Sequence, residues 1–184
     1  MCMKIKKRDN KKIKQKKIVL ISLRYLFLLA IVFALPILYT LLTVPTVFPV
    51  LILLKLMYTQ VEFIEPIIII DAVTFIEIVP ACIAGSAYLL LIILNFSIPL
   101  HLRKRMHVLF FSLAMFFILN VTRIILLSIW YHEKFSFFNS VHLVLWYVLS
   151  TILVIAIWLF TIKIFSIKEI PFYTDLMQLI KLRK

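Results

Sequence analysis

The chain has 184 residues, 64% of them hydrophobic, and its 21 Lys and Arg outnumber its 8 Asp and Glu to give a formal net charge of +13. A mean hydropathy of +1.10 is above that of a soluble domain and points to the bilayer. A single glycine excludes Gly-rich linkers and phosphate loops, and two cysteines exclude a disulfide framework.

The charge is not distributed as a nucleic-acid surface. Lys4, Lys6, Lys7, Arg8, Lys11, Lys12, Lys14, Lys16, Lys17 and Arg24 crowd the front of the first apolar run, with no aromatic residue before Tyr25. Residues 1–18 therefore read as a solvated, mobile basic tail on the cytoplasmic side, in which Cys2 is an incidental thiol. Residues 19–43 are long and apolar enough to cross a bilayer. They lack a small-residue cleavage site, so the sequence predicts a retained helix rather than a signal peptide. Residues 44–59 open with Pro45 and Pro49 and contain Lys55, which suggests an outer-surface helix. In 60–79 the apolar residues are broken by Glu62, Glu65, Asp71 and Glu77. The β-branched run Ile67 to Ile70 and the loose alternation from Thr74 to Val79 suggest two short strands or an extended segment outside the membrane.

Residues 81–98 form a second span, and Arg103, Lys104 and Arg105 mark the loop after it as cytoplasmic. Residues 108–130 form a third span, Tyr131 to Phe138 an outer loop, 139–165 a fourth span and 166–184 a cytoplasmic tail. The fold class expected is thus an all-α polytopic membrane protein. It has about four transmembrane helices, an outer-surface helix and a short strand-like segment, with a membrane domain over 19–165. Both termini lie inside, in the cell membrane. Of the acids, Glu62, Glu65, Asp71, Glu77 and Glu133 then fall outside, and of the basic residues only Lys55, Arg123 and Lys134 fall outside or in a span's outer half. Making 44–59 a fifth span would carry those acids inside and leave the basic loop or the basic tail on the wrong side.

Three rare groups fall at the outer ends of different spans. Cys82 sits in Pro80-Ala81-Cys82-Ile83-Ala84-Gly85-Ser86, beside the chain's one glycine. Arg123 lies in the third span, with Asn120 one turn earlier on the same face. His142 opens the fourth span in Asn139-Ser140-Val141-His142, with Trp146 one turn later. Each has a plain explanation: a small-residue packing patch, an arginine snorkelling to headgroups, a histidine at a helix end. Together they make a usable set, in which a thiolate attacks a carbonyl, an imidazole moves the proton and a guanidinium stabilises the thiolate or an oxyanion. Gly85 would let a backbone or a substrate approach the thiol closely. Two metal ligands at suitable spacing are lacking, so no metal is expected. His101, His107 and His132 lie in loops and receive no role.

These motifs, in this order, resemble the exosortase/archaeosortase family of membrane transpeptidases. The resemblance covers residues 60 to 160, and the lysine-rich, glycine-poor chain is most similar to small archaeal members. In the family a small hydroxyl residue and then glycine commonly follow the cysteine, whereas here Ile83 and Ala84 precede Gly85. The resemblance implies a cysteine peptidase that recognises secreted proteins by a C-terminal sorting signal of motif, helix and basic end. Cleavage yields an acyl-enzyme, which a lipid or other amine resolves. It implies Cys82 as nucleophile, Arg123 as stabiliser and His142 as acid/base, with Gly85, Asn120 and Asn139 in support; the residues themselves give no sign of a cofactor or of a nucleic-acid partner. The alternative from a different class is a non-enzymatic assembly or accessory subunit.

Overall fold

Proline decides where the first apolar run bends. The computed structural model describes residues 2–145 and 150–167, with side chains described at 15, 18–145 and 150–167. Helices α1 (Cys2–Val32) and α2 (Leu35–Met57) meet at Phe33-Ala34. There the Phe33 and Ala34 amides donate to the carbonyls of Ala30 (3.1 Å) and Ile31 (2.9 Å), a tightened turn. Pro36 has no amide for the Val32 carbonyl, and its ring blocks that position. The expected span 19–43 is therefore two helices joined at a bend. The basic stretch 1–18, read above as a mobile tail, is helical from Cys2, in keeping with its Lys, Arg, Gln and Ile and its lack of Pro and Gly.

The separate outer helix expected over 44–59 does not exist. Pro45 and Pro49 lie inside α2, which runs through them unbroken. An interior proline costs a helix about 3 kcal/mol. Val47, Val50 and Leu54, from the same turns, are buried in the core, and each such burial contributes about 1.5–3 kcal/mol, enough to offset two prolines.

That core is shared with a three-stranded antiparallel meander, β1 (Val61–Ile64), β2 (Ile67–Ile70) and β3 (Thr74–Glu77). The sequence anticipated the last two strands and missed β1, which joins β2 through the two residues Glu65-Pro66. The register pairs Val61 with Ile70 and Ile70 with Thr74, so these side chains share one face. This face, with Ile68, packs against Val47, Val50 and Leu54 of α2 and Val121 and Ile124 of the later helix α5. Glu62, Glu65 and Glu77 are exposed.

The chain then enters α3 (Pro80–Ile83) and α4 (Gly85–Ser97), crosses back in α5 (Leu102–His132), and ends in α6 (Phe138–Val144) and α7 (Ser150–Ile164). Ala84, between α3 and α4, is left-handed (φ 57°, ψ 36°). A second core joins Tyr88 and Leu91 of α4, Phe116 of α5, and Val154 and Ile157 of α7. The Asn95 amide donates to the Leu91 carbonyl (2.8 Å) and to Ser112 Oγ (3.1 Å), tying α4 to α5 inside the bundle.

Among the described residues, three segments are long and apolar enough to cross a membrane: Leu35–Met57, Pro80–Ser97 and Leu102–His132. Ile18–Val32 and Ser150–Ile164 are shorter apolar helices. The bent pair α1–α2 runs the length of α4. Phe27 packs on Phe96 (ring centroids 5.8 Å apart) at one end, and Tyr39 lies against Gly85 at the other. Beyond Gly85, α2 and α5 continue as two posts that carry the sheet.

Candidate functional site

The break at Ala84 isolates a single helical turn, started by Pro80, that holds Cys82. In an unbroken helix the Cys82 carbonyl would accept from the amide four residues on. The left-handed residue removes that geometry, and Asn120 of α5 replaces it: its Nδ2 donates to the Cys82 carbonyl at 3.0 Å. Asn120 is buried, 2% exposed, so this bond is sheltered from water. The sequence placed Asn120 near the site through Arg123, but the atom it holds is the cysteine's backbone.

A cavity of about 350 Å³ lies between this turn, β3, α5 and α6. Cys82, Arg123 and His142 all line it, from three different helices. Such a volume falls within the range of small-ligand sites. Its walls are mainly apolar, with Ser128, Tyr131 and Glu77 adding polar groups. Arg123 and Glu77 lie close enough to Cys82 for their charges to act on it. Arg123 Nε is buried with no hydrogen-bond partner among the described residues. Arg123 also lines a neighbouring cavity of about 360 Å³, with Ala84, Ser86, Ser150 and Thr151, so its side chain stands between two spaces. Phe138, one turn before His142 on α6, packs on the imidazole (ring centroids 5.5 Å), and Tyr131 packs on Phe138 (5.1 Å). These aromatic contacts steady the imidazole at the cavity.

Ser128 and Tyr131 were not singled out from the sequence. Ile124, Leu127, Ser128 and Tyr131 line the cavity at i, i+3, i+4 and i+7, one face of α5 with Arg123 at its edge, so the helical periodicity carried the signal.

Compared with known proteins, the chain matches no family model, no curated protein and no solved structure.

Two expected supporting residues stand elsewhere. A Cβ on Gly85 would meet Tyr39 Cε1 at 2.8 Å and Cδ1 at 2.9 Å, so the missing side chain makes room for an aromatic ring of α2 rather than for an approach to the thiol. Asn139 is exposed near the start of α6 and is not among the residues lining the cavity. Trp146 lies outside the described residues. Among the described residues, no group of three or more His, Cys, Asp or Glu is placed to hold a metal ion.

His132, given no role above, ends α5 and closes the sheet onto it. Its Nδ1 and Thr74 Oγ1 are 2.9 Å apart, its Nε2 lies 3.6 Å from Asp71 Oδ2, and its ring meets Tyr58 edge-on (centroids 4.7 Å). Burial, and then the carboxylates of Glu133 and Asp71, push the Tyr58 phenol above its usual value.

Proposed function

We propose that this chain is a membrane-embedded thiol acyltransferase, a cysteine transpeptidase of the exosortase/archaeosortase type. Its substrates are secreted proteins bearing a C-terminal sorting signal. The observation that carries the reading is the convergence of Cys82, Arg123 and His142 on one cavity, from three helices.

In the topology we propose, four spans cross the bilayer: the bent α1–α2 pair up to about Thr43, α3–α4, most of α5, and α6–α7. The upper part of α2, the sheet and the top of α5 form an outer lobe. Both termini are then cytoplasmic and the cavity opens at the outer interface, as the flanking charges favour.

The chemistry assigned to the residues is acyl transfer in two halves. Cys82 Sγ, as thiolate, adds to the scissile carbonyl, and the Arg123 guanidinium donates to the oxyanion. The C–N bond breaks, the departing amine takes a proton from the His142 imidazolium, and a thioester to Cys82 remains. An acceptor amine, on a lipid or similar molecule, gives its proton to His142 as it adds. The C–S bond breaks, and the Cys82 thiolate and His142 imidazolium are regenerated. Asn120 is a positioning residue, holding the turn that presents Cys82.

The accessory-subunit reading rests on one observation, that Cys82 also packs against the core beneath the sheet. Mass spectrometry of C-terminal peptides from host membrane proteins, in wild type and Cys82→Ala, separates the two. The transferase predicts a set of secreted proteins that lose their trimmed C-termini in the variant. Unchanged C-termini, with the variant protein accumulating normally, would sink it.

A further inference from the structure

The strand order β1-β2-β3 leaves one edge of β3 without a neighbouring strand, and that edge borders the cavity holding Cys82. The register decides which backbone groups face it. The Ile78 amide donates to the Pro66 carbonyl (2.9 Å), and the same register pairs Ile68 with Ile76 and Ile70 with Thr74. Hydrogen-bonded pairs recur at every second residue of an antiparallel ladder, so Thr74, Ile76 and Ile78 turn their N–H and C=O groups to β2. The Asp71 amide donates to the Gln60 carbonyl (2.8 Å), so the odd-numbered residues of β2 serve β1 and the even-numbered ones serve β3. The N–H and C=O groups of Phe75 and Glu77 therefore point away from the sheet. Among the described residues these four groups have no hydrogen-bond partner.

Phe75 to Val79 all line the cavity, and α5 and α6 wall its other sides. The backbone stays extended at Val79 (φ −81°, ψ 159°), and Cys82 follows in the next turn. The cavity is thus a slot with an open strand edge along one wall and the thiol at one end. Open strand edges pair readily with another extended chain. A compact apolar ligand would leave the four backbone groups unsatisfied, and the sheet of a second copy would have to displace α6 to reach them. An extended peptide presents donors and acceptors at the matching two-residue period, and fits beside β3 at a spacing of about 4.8 Å. Charge narrows the occupant further. From Val61 to Glu77 the sheet carries Glu62, Glu65, Asp71 and Glu77 and no basic residue, and Glu77 is exposed at the end of β3 nearer Cys82. A Lys or Arg on the outward face of an added strand would complement it.

We infer that β3 takes an extended, basic peptide segment as a fourth strand, running parallel to it, so that a peptide carbonyl is delivered to Cys82. The parallel direction, and the role of this segment as acyl donor, rest on the transferase reading, in which substrates descend into the bilayer towards their C-termini as β3 descends towards Cys82. The binding itself does not rest on it.

The test reads the strand edge without turnover. In the full-length Cys2→Ser protein in detergent, Cys82 is joined by disulfide exchange to acetyl-Val-Lys-Val-Lys-Val carrying a C-terminal cysteamine. Amide-resolved hydrogen exchange should slow about tenfold or more at Phe75 and Glu77, and less than about threefold at Ile76 and Ile78, which already bond to β2. Cysteamine alone, or the same peptide N-methylated at every amide, should leave Phe75 and Glu77 unprotected, and a peptide with Glu in place of Lys should protect them less. If Cys82 does not take the tether, the free peptide at millimolar concentration is read in the same way. No slowing at Phe75 and Glu77, or equal slowing with the N-methylated peptide, overturns the proposal. Equal slowing with the Lys and Glu peptides overturns the basic preference. Protection of both amides in a protein whose Cys82→Ala variant leaves all C-termini unchanged would remove the transferase reading and keep the strand site. Trimming that depends on Cys82, without protection, would remove the strand site alone.

Discussion

Alanine at position 85 is the sharpest perturbation the bundle offers. Glycine-to-alanine changes in helices ordinarily stabilise, by up to about 1 kcal/mol. Here the new Cβ would lie 2.8 Å, 2.9 Å and 3.1 Å from three ring carbons of Tyr39, where relaxed carbon contacts sit at about 3.5–4.0 Å. The ring or α2 must move by about 0.7 Å or more, and overpacking of this kind costs about 1–3 kcal/mol. We expect Gly85→Ala to lower stability by about 1–2 kcal/mol after the helical gain. At this chain length that is a drop in Tm of about 2–8 °C in thermal unfolding of the detergent-solubilised protein. Tyr39→Leu should remove most of the penalty, giving a coupling of about 1 kcal/mol in the double-mutant cycle. A Tm for Gly85→Ala at or above wild type, with no coupling to Tyr39, would refute the steric argument.

The neighbouring position should respond in the opposite sense. Ala84 holds a left-handed backbone, which costs a non-glycine residue about 1–2 kcal/mol, so Ala84→Gly should leave the Tm unchanged or raise it. Asn120→Leu should lower stability by about 1–3 kcal/mol by orphaning the Cys82 carbonyl, and change the rate of Cys82 alkylation by a maleimide; an unchanged rate would show that Asn120 does not hold the turn. On the proposed transferase reading, Arg123→Lys keeps the charge but loses the forked donor set, and should reduce C-terminal processing by about 10²–10³-fold while the protein accumulates normally. The raised phenol of Tyr58 favours folding fully below its unfolded value near pH 10, and that contribution is lost as pH rises through the folded value. Hydrogen exchange in the sheet should therefore quicken above about pH 10 in wild type, beyond the intrinsic pH dependence of exchange, but not in Tyr58→Phe.

What the sequence displayed and what it hid follow from the range of the signal. Hydropathy is local, so the apolar runs and the acidic segment between them could be read directly, and rarity pointed to Cys82, Arg123 and His142. The bend at Phe33-Ala34 was encoded by Pro36, but a window that scores only apolarity runs past it. At Pro45 and Pro49 the error ran the other way: the prolines were given too much weight, because the burial that carries α2 through them comes from a sheet located elsewhere in the sequence. Gly85 drew attention as the residue that would let a backbone or a substrate come close to the thiol, while the strained backbone belongs to Ala84 and the glycine makes room for a ring. His132 looked idle because its partners, Asp71 and Thr74, lie some sixty residues earlier. Asn120 was found for its spacing to Arg123, yet its bond to the Cys82 carbonyl required knowing that the helix breaks.

The one-turn helix that carries Cys82 has a mechanical consequence. It is cut from α4 by Ala84 and tied to α5 through Asn120, so a tilt of α4 need not carry the thiol with it. Arg123 rides on α5 as well. The sulfur and the guanidinium are therefore indexed to one rigid rod, and the bundle around them can flex without changing their spacing.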